Sequence, residues 1–349
     1  MGLLEKVEDF RLLPFFVIFS MAAGIFIGKT LGISNFELTP PIEAIKQIFR
    51  GTFVLSVPNA ISLGVPIGLF FMIYPAMTNV RVEDLKLAVK SPKQIGLVAL
   101  FNYAFAPFFM YALAKIFLAQ YPDLRTGLIL YGFAPCIAMV IVFTFLARGN
   151  NALALVLVAL NSILQMILIP FYSKLLLGDI QFDVLVVGES VVLYLGMPLV
   201  LGILTRREGI KKYTEAGFEK KFRPVLNAVS IIGLLFTLIV MFSLKGDLIV
   251  EEPSIIAIVA VPMTIFFFVM FNMLYLIGWK TGFNYRDSVA VAFNTTGRDF
   301  EIAIAIAITA FNPTVALATV VGPLIEVPVM LSLVWIARST GKRLFKTEV

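Results

Sequence analysis

The chain has 349 residues and a formal net charge of +6; 60% of its residues are hydrophobic, 14% are charged, and the mean hydropathy is +0.95. Soluble domains carry about 25% charged residues, so this composition excludes an aqueous surface on all sides and predicts an all-α polytopic membrane protein. The chain has no histidine and one cysteine, which excludes zinc–histidine protease motifs, imidazole-ligated haem, internal disulfides and multi-thiolate metal cages. We expect no cofactor, and we expect the basic residues, which lie in short loops, to set membrane topology rather than to bind nucleic acid.

Ten apolar stretches long enough to cross a bilayer follow one another along the chain. Numbered as spans 1 to 10, they lie at about residues 12–28, 52–80, 94–119, 126–147, 152–173, 184–205, 224–244, 254–279, 288–311 and 313–337. Lysine and arginine are concentrated at both termini and in the loops that follow even-numbered spans. The positive-inside rule therefore predicts that both termini lie in the cytoplasm. We expect a multi-pass protein of the cell (plasma) membrane.

The most basic loop lies between spans 6 and 7, and a division of the chain one span earlier, near residue 178, leaves five spans on each side. Because five is odd, two related halves would be inverted relative to each other. A shift of 161 residues places Asn151 on Asn312 and Cys136 on Gly297. We therefore predict one transporter domain made of two inverted five-helix repeats, at about residues 1–178 and 179–349.

Span 4 contains G-F-A-P-C-I-A-M-V, with Pro135 and Cys136 near its centre. A proline inside a helix removes a backbone hydrogen bond and clashes with the preceding turn, so we predict a break here with Cys136 beside it. Cys136 is then either a small apolar packing residue or a soft ligand for a thiophilic substrate.

Span 5 carries two amide side chains, Asn161 and Gln165, one helical turn apart on the same face. They either receive a polar solute or hydrogen-bond a neighbouring span. The sequence does not separate these two interpretations.

Span 9 contains A-F-N-T-T-G-R-D-F-E, in which Asn294, Arg298, Asp299 and Glu301 interrupt an apolar run. Ionisable groups inside a membrane cost about 2.5 to 3.5 kcal/mol each on insertion scales, which disfavours a continuous lipid-facing helix. We predict a helix broken near Gly297, whose freed backbone groups line a cavity. The alternative is that the arginine and the acids only neutralise one another between helices.

Two acids are candidates for proton coupling. Glu301 lies three residues from Arg298 and shares its helical face, so a cation would stand beside it, and we predict that Glu301 is the coupling group. Glu326 lies between Pro323 and Pro328 in span 10, without another charge in that span. It is either a second proton or cation site or a structural acceptor for Arg298.

These residues resemble the arsenite efflux permeases of the arsenical-resistance type, within the bile acid, arsenite and riboflavin transporter superfamily. The similarity is strongest in P-C-I-A-M-V-I-V with V-A-L-N-S-I-L-Q, and in D-F-E-I-A-I-A-I-A with A-L-A-T-V-V-G-P-L-I-E-V-P-V-M-L-S-L-V. The resemblance implies a core of spans 3 to 5 and 8 to 10, a panel of spans 1, 2, 6 and 7, and broken spans 4 and 9 crossing near the midplane. It also implies that Cys136 and Glu301 serve arsenite transport and proton coupling, and that Asn161 and Glu326 take part.

The sequence departs from the family pattern at three places. Pro135 stands where the family has arginine, and Phe143 stands where it has tryptophan. Arg298 and Asp299 replace two asparagines. We hypothesise that the positive charge has moved from one break to the other.

The leading functional hypothesis is export of trivalent arsenic, as arsenite and also antimonite, in exchange for protons. The substrate-binding residues would be Cys136, Asn161, Gln165, Asn294 and Arg298, and the coupling residues Glu301, Asp299 and Glu326. The alternative is a sodium-coupled organic-anion symporter, in which amide and hydroxyl oxygens of spans 5 and 9 bind sodium. The sequence has neither histidine nor a P-loop motif, so we predict neither a membrane enzyme nor an ATP-driven pump.

Overall fold

The computed structural model describes residues 13–32, 43–44, 47–48, 50–52, 57–78, 91–137, 139–178, 183–251 and 254–345. The residues at both chain termini lie outside this set. The predicted cytoplasmic location of the termini therefore concerns residues outside the described part of the chain. The described part of the chain is almost entirely helical.

The helices are numbered in chain order. They are α1 (Leu13–Leu31), α2 (Val57–Met77), α3 (Pro92–Phe117), α4 (Pro122–Gly132), α5 (Met139–Leu146), α6 (Asn151–Leu177), α7 (Val184–Lys221), α8 (Arg223–Glu251), α9 (Ser254–Lys280), α10 (Tyr285–Thr296), α11 (Phe300–Ala310), α12 (Pro313–Val320) and α13 (Gly322–Phe345). A π-helical turn interrupts α3 at Phe101–Phe105 and α7 at Val192–Gly196.

Six described helical segments are long and apolar enough to cross a membrane, namely α3, α6, α7, α8, α9, and α12 together with α13. Shorter apolar helices lie within α1, α2 and α11. Large apolar side chains project outward: Phe19 and Ile116 are each 71% exposed and Trp335 is 70% exposed. Such side chains suit contact with lipid. The prediction of an all-α polytopic membrane protein is confirmed, while the ten-span inverted repeat stays a prediction.

Both predicted helix breaks are present. Span 4 is divided between α4 and α5, and span 9 is divided between α10 and α11 across Gly297. A third interruption, at Val321 between α12 and α13, divides span 10, which the sequence analysis treats as continuous. Pro323 follows in the first turn of α13, where its missing N–H leaves no helical hydrogen bond unmade.

The chain forms two compact units, and each takes segments from both halves of the sequence. The first unit comprises Met1–Asn79, Ile180–Ala257 and Glu301–Val320, and the second comprises Val80–Asp179, Ile258–Phe300 and Val321–Val349. The first unit holds the spans assigned to the panel, and the second holds most of those assigned to the core, but spans 9 and 10 are divided between the two. The predicted repeats cut across both units and stay a prediction.

In the first unit, α8 packs closely against α1 and α2 through glycines. A Cβ atom added to Gly24 would lie 2.6 Å from the Ile239 carbonyl oxygen, and one added to Gly233 would lie 2.9 Å from the Gly68 carbonyl oxygen. Helices in lipid associate mainly through close van der Waals packing, which small residues permit. The glycines therefore set the spacing of these three helices.

In the second unit, α10 packs against α3, α5 and α6. The Phe293 ring lies 6.0 Å from that of Phe143 and 4.7 Å from that of Phe271, measured between centroids. Every side chain of α10 from Ser288 to Thr296 is buried. This packing holds the C-terminal end of α10 at the interior of the unit, where the break begins.

Candidate functional site

The two helix breaks are joined by a short antiparallel bridge between Pro135 and Arg298. The Cys136 backbone N–H donates to the Gly297 carbonyl over 3.0 Å, and the Asp299 N–H makes a second backbone bond of 2.7 Å across the bridge. Pro135 and Arg298 thus form a non-hydrogen-bonded pair, in which the missing N–H of proline is not needed. The bridge satisfies backbone groups that a broken helix would otherwise leave unpaired inside a membrane.

Gly297 allows the two breaks to approach each other. A Cβ atom added here would collide with Val140, and it would lie 3.1 Å from the Cys136 Cβ and 3.4 Å from the Met330 Cε. Cys136 itself is 3% exposed. The sequence prediction of a cysteine beside a break is confirmed, and the fold adds that the same cysteine adjoins the other break as well.

Arg298 is fully buried, and its guanidinium donates to oxygen atoms of neutral groups. Nη1 donates to the Gly132 carbonyl over 3.2 Å. Nη2 donates to the Asn102 side-chain oxygen over 2.7 Å and also to the Thr295 carbonyl. Nε donates to the Thr296 carbonyl over 3.4 Å. The positive charge is therefore held by carbonyl and amide dipoles.

The carbonyls around the guanidinium come from the ends of two helices. Gly132 is the last residue of α4, and Thr295 and Thr296 are the last two residues of α10. The C-terminal end of a helix carries a partial negative charge, and two such ends converge on Arg298. The guanidinium carbon also lies 5.1 Å from the centroid of the Phe266 ring, which adds a cation–π contact.

Asn102 links the guanidinium to the other amide side chains. It lies in the π-helical turn Phe101–Phe105, and its Nδ2 donates to the Asn294 carbonyl over 3.1 Å and to Asn161 Oδ1 over 3.4 Å. The next residue, Tyr103, donates its hydroxyl to the Asn161 carbonyl over 3.3 Å. Asn102 and Tyr103 are not among the residues predicted from sequence. The signal that could have found them is a polar pair inside an apolar span.

Glu326 accepts a hydrogen bond from the Tyr131 hydroxyl, which lies 2.7 Å from Oε2. Both side chains are fully buried, and the charges of Arg298 and Asp299 act on the carboxylate. Along the sequence Glu326 has no charged neighbour, but the fold supplies Arg298 from a distant segment. Both interpretations of Glu326, as a proton or cation site and as a structural acceptor for Arg298, stay predictions.

Several buried polar atoms of the second unit have no hydrogen-bond partner within the described chain. They include Asn151 Oδ1 and Ser288 Oγ and, among the predicted site residues, Asn161 Nδ2, both polar side-chain atoms of Gln165, Asn294 Oδ1 and Glu326 Oε1. An unsatisfied buried polar group costs about 1–3 kcal/mol, so a group of them in one unit indicates a site that takes a polar ligand or water. Both donors and acceptors are present, which a solute bearing hydroxyl groups can satisfy.

The remaining candidates differ in where they lie. Asp299 is fully buried in the second unit, whereas Glu301 is 8% exposed and lies in the first turn of α11, in the first unit. A helix N-terminus favours a carboxylate. Contacts within the second unit join Cys136, Asn161, Asn294, Arg298, Asp299 and Glu326. Gln165 lies one turn beyond Asn161 on α6 and takes no part in those hydrogen bonds.

Comparison with known proteins identifies the family. The model of the sodium bile acid symporter family matches residues 66–252. The arsenical-resistance protein Acr3 of Corynebacterium glutamicum is 35% identical to this chain over an alignment of 352 positions, which covers 97% of the chain and 91% of that protein. The chain is an Acr3-type member of the sodium bile acid symporter family. It is therefore a membrane transporter and not an enzyme.

Two further relatives agree with this membership. The arsenical-resistance protein Acr3 of Alkaliphilus metalliredigens is 36% identical over 90% of this chain and 94% of its own length. The uncharacterized transporter slr0944 of Synechocystis sp. is 35% identical over 97% of this chain and 90% of its own length. The similarity extends over at least 90% of this chain in each case and so covers both compact units.

Proposed function

We propose that this transporter exports arsenite, and its heavier analogue antimonite, from the cytoplasm in exchange for protons. The observation that carries the proposal is the buried thiol-bearing residue Cys136 at the junction of two broken helices. The arsenical-resistance names of two relatives support the same substrate class. The charge distribution supports cytoplasmic termini, and export from the cell requires a plasma-membrane location.

A single thiol suits a carrier because it binds trivalent arsenic reversibly. The Cys136 sulfur forms one As–S bond to As(OH)3 while one As–O bond breaks, and the thiol proton leaves with the displaced hydroxyl as water. Water reverses the step when the site faces the opposite side of the membrane. Several thiols would hold arsenic too tightly, and transport needs release as much as binding.

The amide side chains of the second unit supply hydrogen bonds to the other two hydroxyl groups of arsenite. Asn161 and Gln165 offer amide N–H donors, and Asn294 and Gln165 offer amide oxygens, that have no partner among the described residues. Arg298 orients Asn102, whose own amide holds Asn161 and Asn294 in place. The amides are therefore pre-positioned, which reduces the ordering cost of binding.

We assign proton coupling to Glu301, and we propose Asp299 and Glu326 as the other acids that take part in coupling. A carboxylate must perform this task because the chain has no histidine. Glu301 lies in the first turn of α11, the helix that leaves the second break. In an exchanger, substrate binding on the inside favours proton release, and protonation from the outside favours substrate release.

Arsenite uptake into everted membrane vesicles tests the proposal. Vesicles that are acidic inside should accumulate arsenite, and a protonophore should abolish the accumulation. Vesicles carrying the Cys136→Ser variant at equal expression are the matched control. Absence of arsenite uptake contradicts the substrate assignment, whereas uptake that ignores the pH gradient contradicts proton exchange.

A sodium-coupled symporter of an organic anion is the second candidate, because the chain belongs to the sodium bile acid symporter family. The unpartnered amide oxygens of Asn294 and Gln165 are hard ligands of the kind that such cations prefer. Right-side-out vesicles with an inward sodium gradient test it with radiolabelled bile acid. Sodium-driven bile acid uptake without arsenite transport would favour this candidate over the first.

A further inference from the structure

We propose that the guanidinium of Arg298 is a built-in cation, which occupies a site suited to a small monovalent cation such as sodium and so makes transport by this chain independent of sodium. The consequence for transport rests on the proposed function. The site itself rests only on contacts within the second unit.

The partners of Arg298 are those expected of a metal cation. Three are backbone carbonyl oxygens, from Gly132, Thr295 and Thr296, and the fourth is the side-chain oxygen of Asn102. Neutral oxygens of this kind replace the hydration shell of hard cations in proteins and channels. A guanidinium more commonly pairs with a carboxylate or phosphate, whose two oxygens match its planar fork.

Arg206 provides a comparison within the same chain, since it is the other buried arginine of the described residues. Its Nη2 bonds to Glu215 and its Nη1 to Glu219, each over 3.2 Å, and it also donates to the Thr78 carbonyl over 3.3 Å. Arg206 is therefore held by two carboxylates. Arg298 is held by neutral oxygens, although the charge of Glu326 acts on it from nearby.

The position of the guanidinium in the fold supports the same inference. The carbonyls that hold it belong to the C-terminal ends of α4 and α10, both at helix breaks. In secondary transporters, the C-terminal ends of half-helices and unwound carbonyls coordinate the coupling cation. The guanidinium of Arg298 supplies the positive charge at this place permanently. No cation therefore has to bind there from solution.

Removing the guanidinium should therefore expose a cation site. In Arg298→Ala, four buried oxygens lose their donor and a space the size of the guanidinium opens between two negative helix ends. A free cation can then restore what the side chain supplied. In Arg298→Lys, by contrast, the ammonium stays tethered and should keep the protein indifferent to sodium.

The test uses the purified full chain in detergent, with sodium chloride compared with choline chloride at equal ionic strength. The wild-type protein should unfold at the same temperature in both salts and should not bind radioactive sodium saturably. Arg298→Ala should unfold about 2–4 °C higher in sodium chloride and bind sodium saturably. Adding Asn102→Leu to this variant removes one oxygen and should weaken sodium binding about tenfold, a loss of about 1.4 kcal/mol.

Arg206→Ala is the matched control. It also removes a buried arginine and should lower stability, but Glu215 is 55% exposed and stays hydrated, and Glu219 keeps its ion pair with Arg223, so no enclosed set of unpaired oxygens is left. It should therefore gain no specific response to sodium over choline. A sodium response equal to that of Arg298→Ala would show that the effect comes from any lost arginine.

Two further results would overturn the inference. One is saturable sodium binding by the wild-type protein; the other is a folded, monodisperse Arg298→Ala protein that responds to none of sodium, potassium and guanidinium ions. If Arg298→Ala does not fold, Arg298→Gln, which is neutral and leaves room for an ion, takes its place under the same criteria. None of these measurements uses arsenite. The sodium-binding and unfolding results can therefore be interpreted even if the proposed arsenite transport is wrong.

Discussion

Cys136 and Gly297 meet through a backbone hydrogen bond of 3.0 Å, although 161 residues separate them along the chain. A shift of 161 residues is also the one that aligns the two halves of the sequence. The two residues that it aligns at the helix breaks are therefore in contact with each other. Because the partner is a glycine, the two backbone segments can approach this closely: a Cβ atom at Gly297 would lie 3.1 Å from the Cys136 Cβ and would collide with Val140. The relationship joins the candidate soft ligand directly to the segment that carries Arg298 and Asp299.

Replacing Cys136 by serine should abolish most arsenite transport. The hydroxyl is similar in size but is a harder ligand for arsenic, so uptake into everted vesicles should fall by more than about tenfold, a loss of about 1.4 kcal/mol. Thermal unfolding in detergent should change little, because the substitution keeps nearly the same volume. Transport equal to that of the parent would assign Cys136 to packing alone.

Replacing Gly297 by alanine should destabilise the protein. The new Cβ atom would collide with Val140 and crowd Cys136, and overpacking of this kind costs about 1–3 kcal/mol. Gly96→Ala is the control, because Gly96 is exposed on α3 and an added Cβ there meets nothing within 4 Å. That variant should be neutral or more stable by up to about 1 kcal/mol. Equal unfolding temperatures for both variants would contradict the close approach at Gly297.

Glu301 and Glu326 should differ in their effect on proton coupling. Glu301→Gln removes the proposed coupling acid, so proton-driven arsenite uptake should disappear. Glu326→Gln keeps a hydrogen-bond acceptor for Tyr131, so the rate should fall while the pH dependence persists. The measurement is vesicle uptake across a range of internal and external pH. Intact proton-driven uptake in Glu301→Gln, with pH dependence lost only in Glu326→Gln, would reverse the assignment.

The basic loop after span 6 should lose stability in acid through Glu219. Burial alone would raise the pKa of Glu219, but hydrogen bonds and charges from Arg223 and Arg206 outweigh it and lower the pKa below its usual value of 4.5. A lowered pKa contributes stability above the unfolded-state value, and this contribution is lost as the pH falls through the folded-state value. We therefore expect the unfolding temperature to fall below about pH 4.5.

Glu219→Gln should flatten this acid-side loss of stability, as measured by thermal unfolding in detergent between neutral and acidic pH. Glu208→Gln is the control, because Glu208 pairs with Lys211 on an exposed surface where ion pairs contribute little. An acid profile for Glu219→Gln identical to that of the wild-type protein would contradict the prediction.

Much of the helical layout could be predicted because bilayer thickness sets the length of apolar runs. Span 3, expected at about 94–119, corresponds to α3. Proline alone does not predict where a helix breaks. The break of span 4 occurs at Pro135, but Pro170, Pro262 and Pro328 lie inside helices. Because a proline can lie within a continuous helix, the presence of Pro323 does not predict the interruption at Val321.

The site was partly visible in sequence because polar residues are rare within apolar spans. Asn161, Arg298 and Glu326 stand out on that ground. Their partners could not be predicted, because Arg298 bonds largely to backbone carbonyls that every residue possesses. The hydroxyl that serves Glu326 belongs to Tyr131, which is 195 residues away, and no local spacing reports such a contact.

The π-helical turn Phe101–Phe105 has a consequence for how this site could change. A π turn takes more residues than an α turn, so the two parts of α3 are out of phase with a regular helix by about 100°. Deleting one residue from the turn would rewind the helix and swing Asn102 away from the guanidinium, while the composition of the span would hardly change. The hydrogen bonds that connect Arg298 through Asn102 to Asn161 and Asn294 therefore depend on the number of residues in α3. An insertion or deletion in that helix would break this connection without substituting any residue of the site.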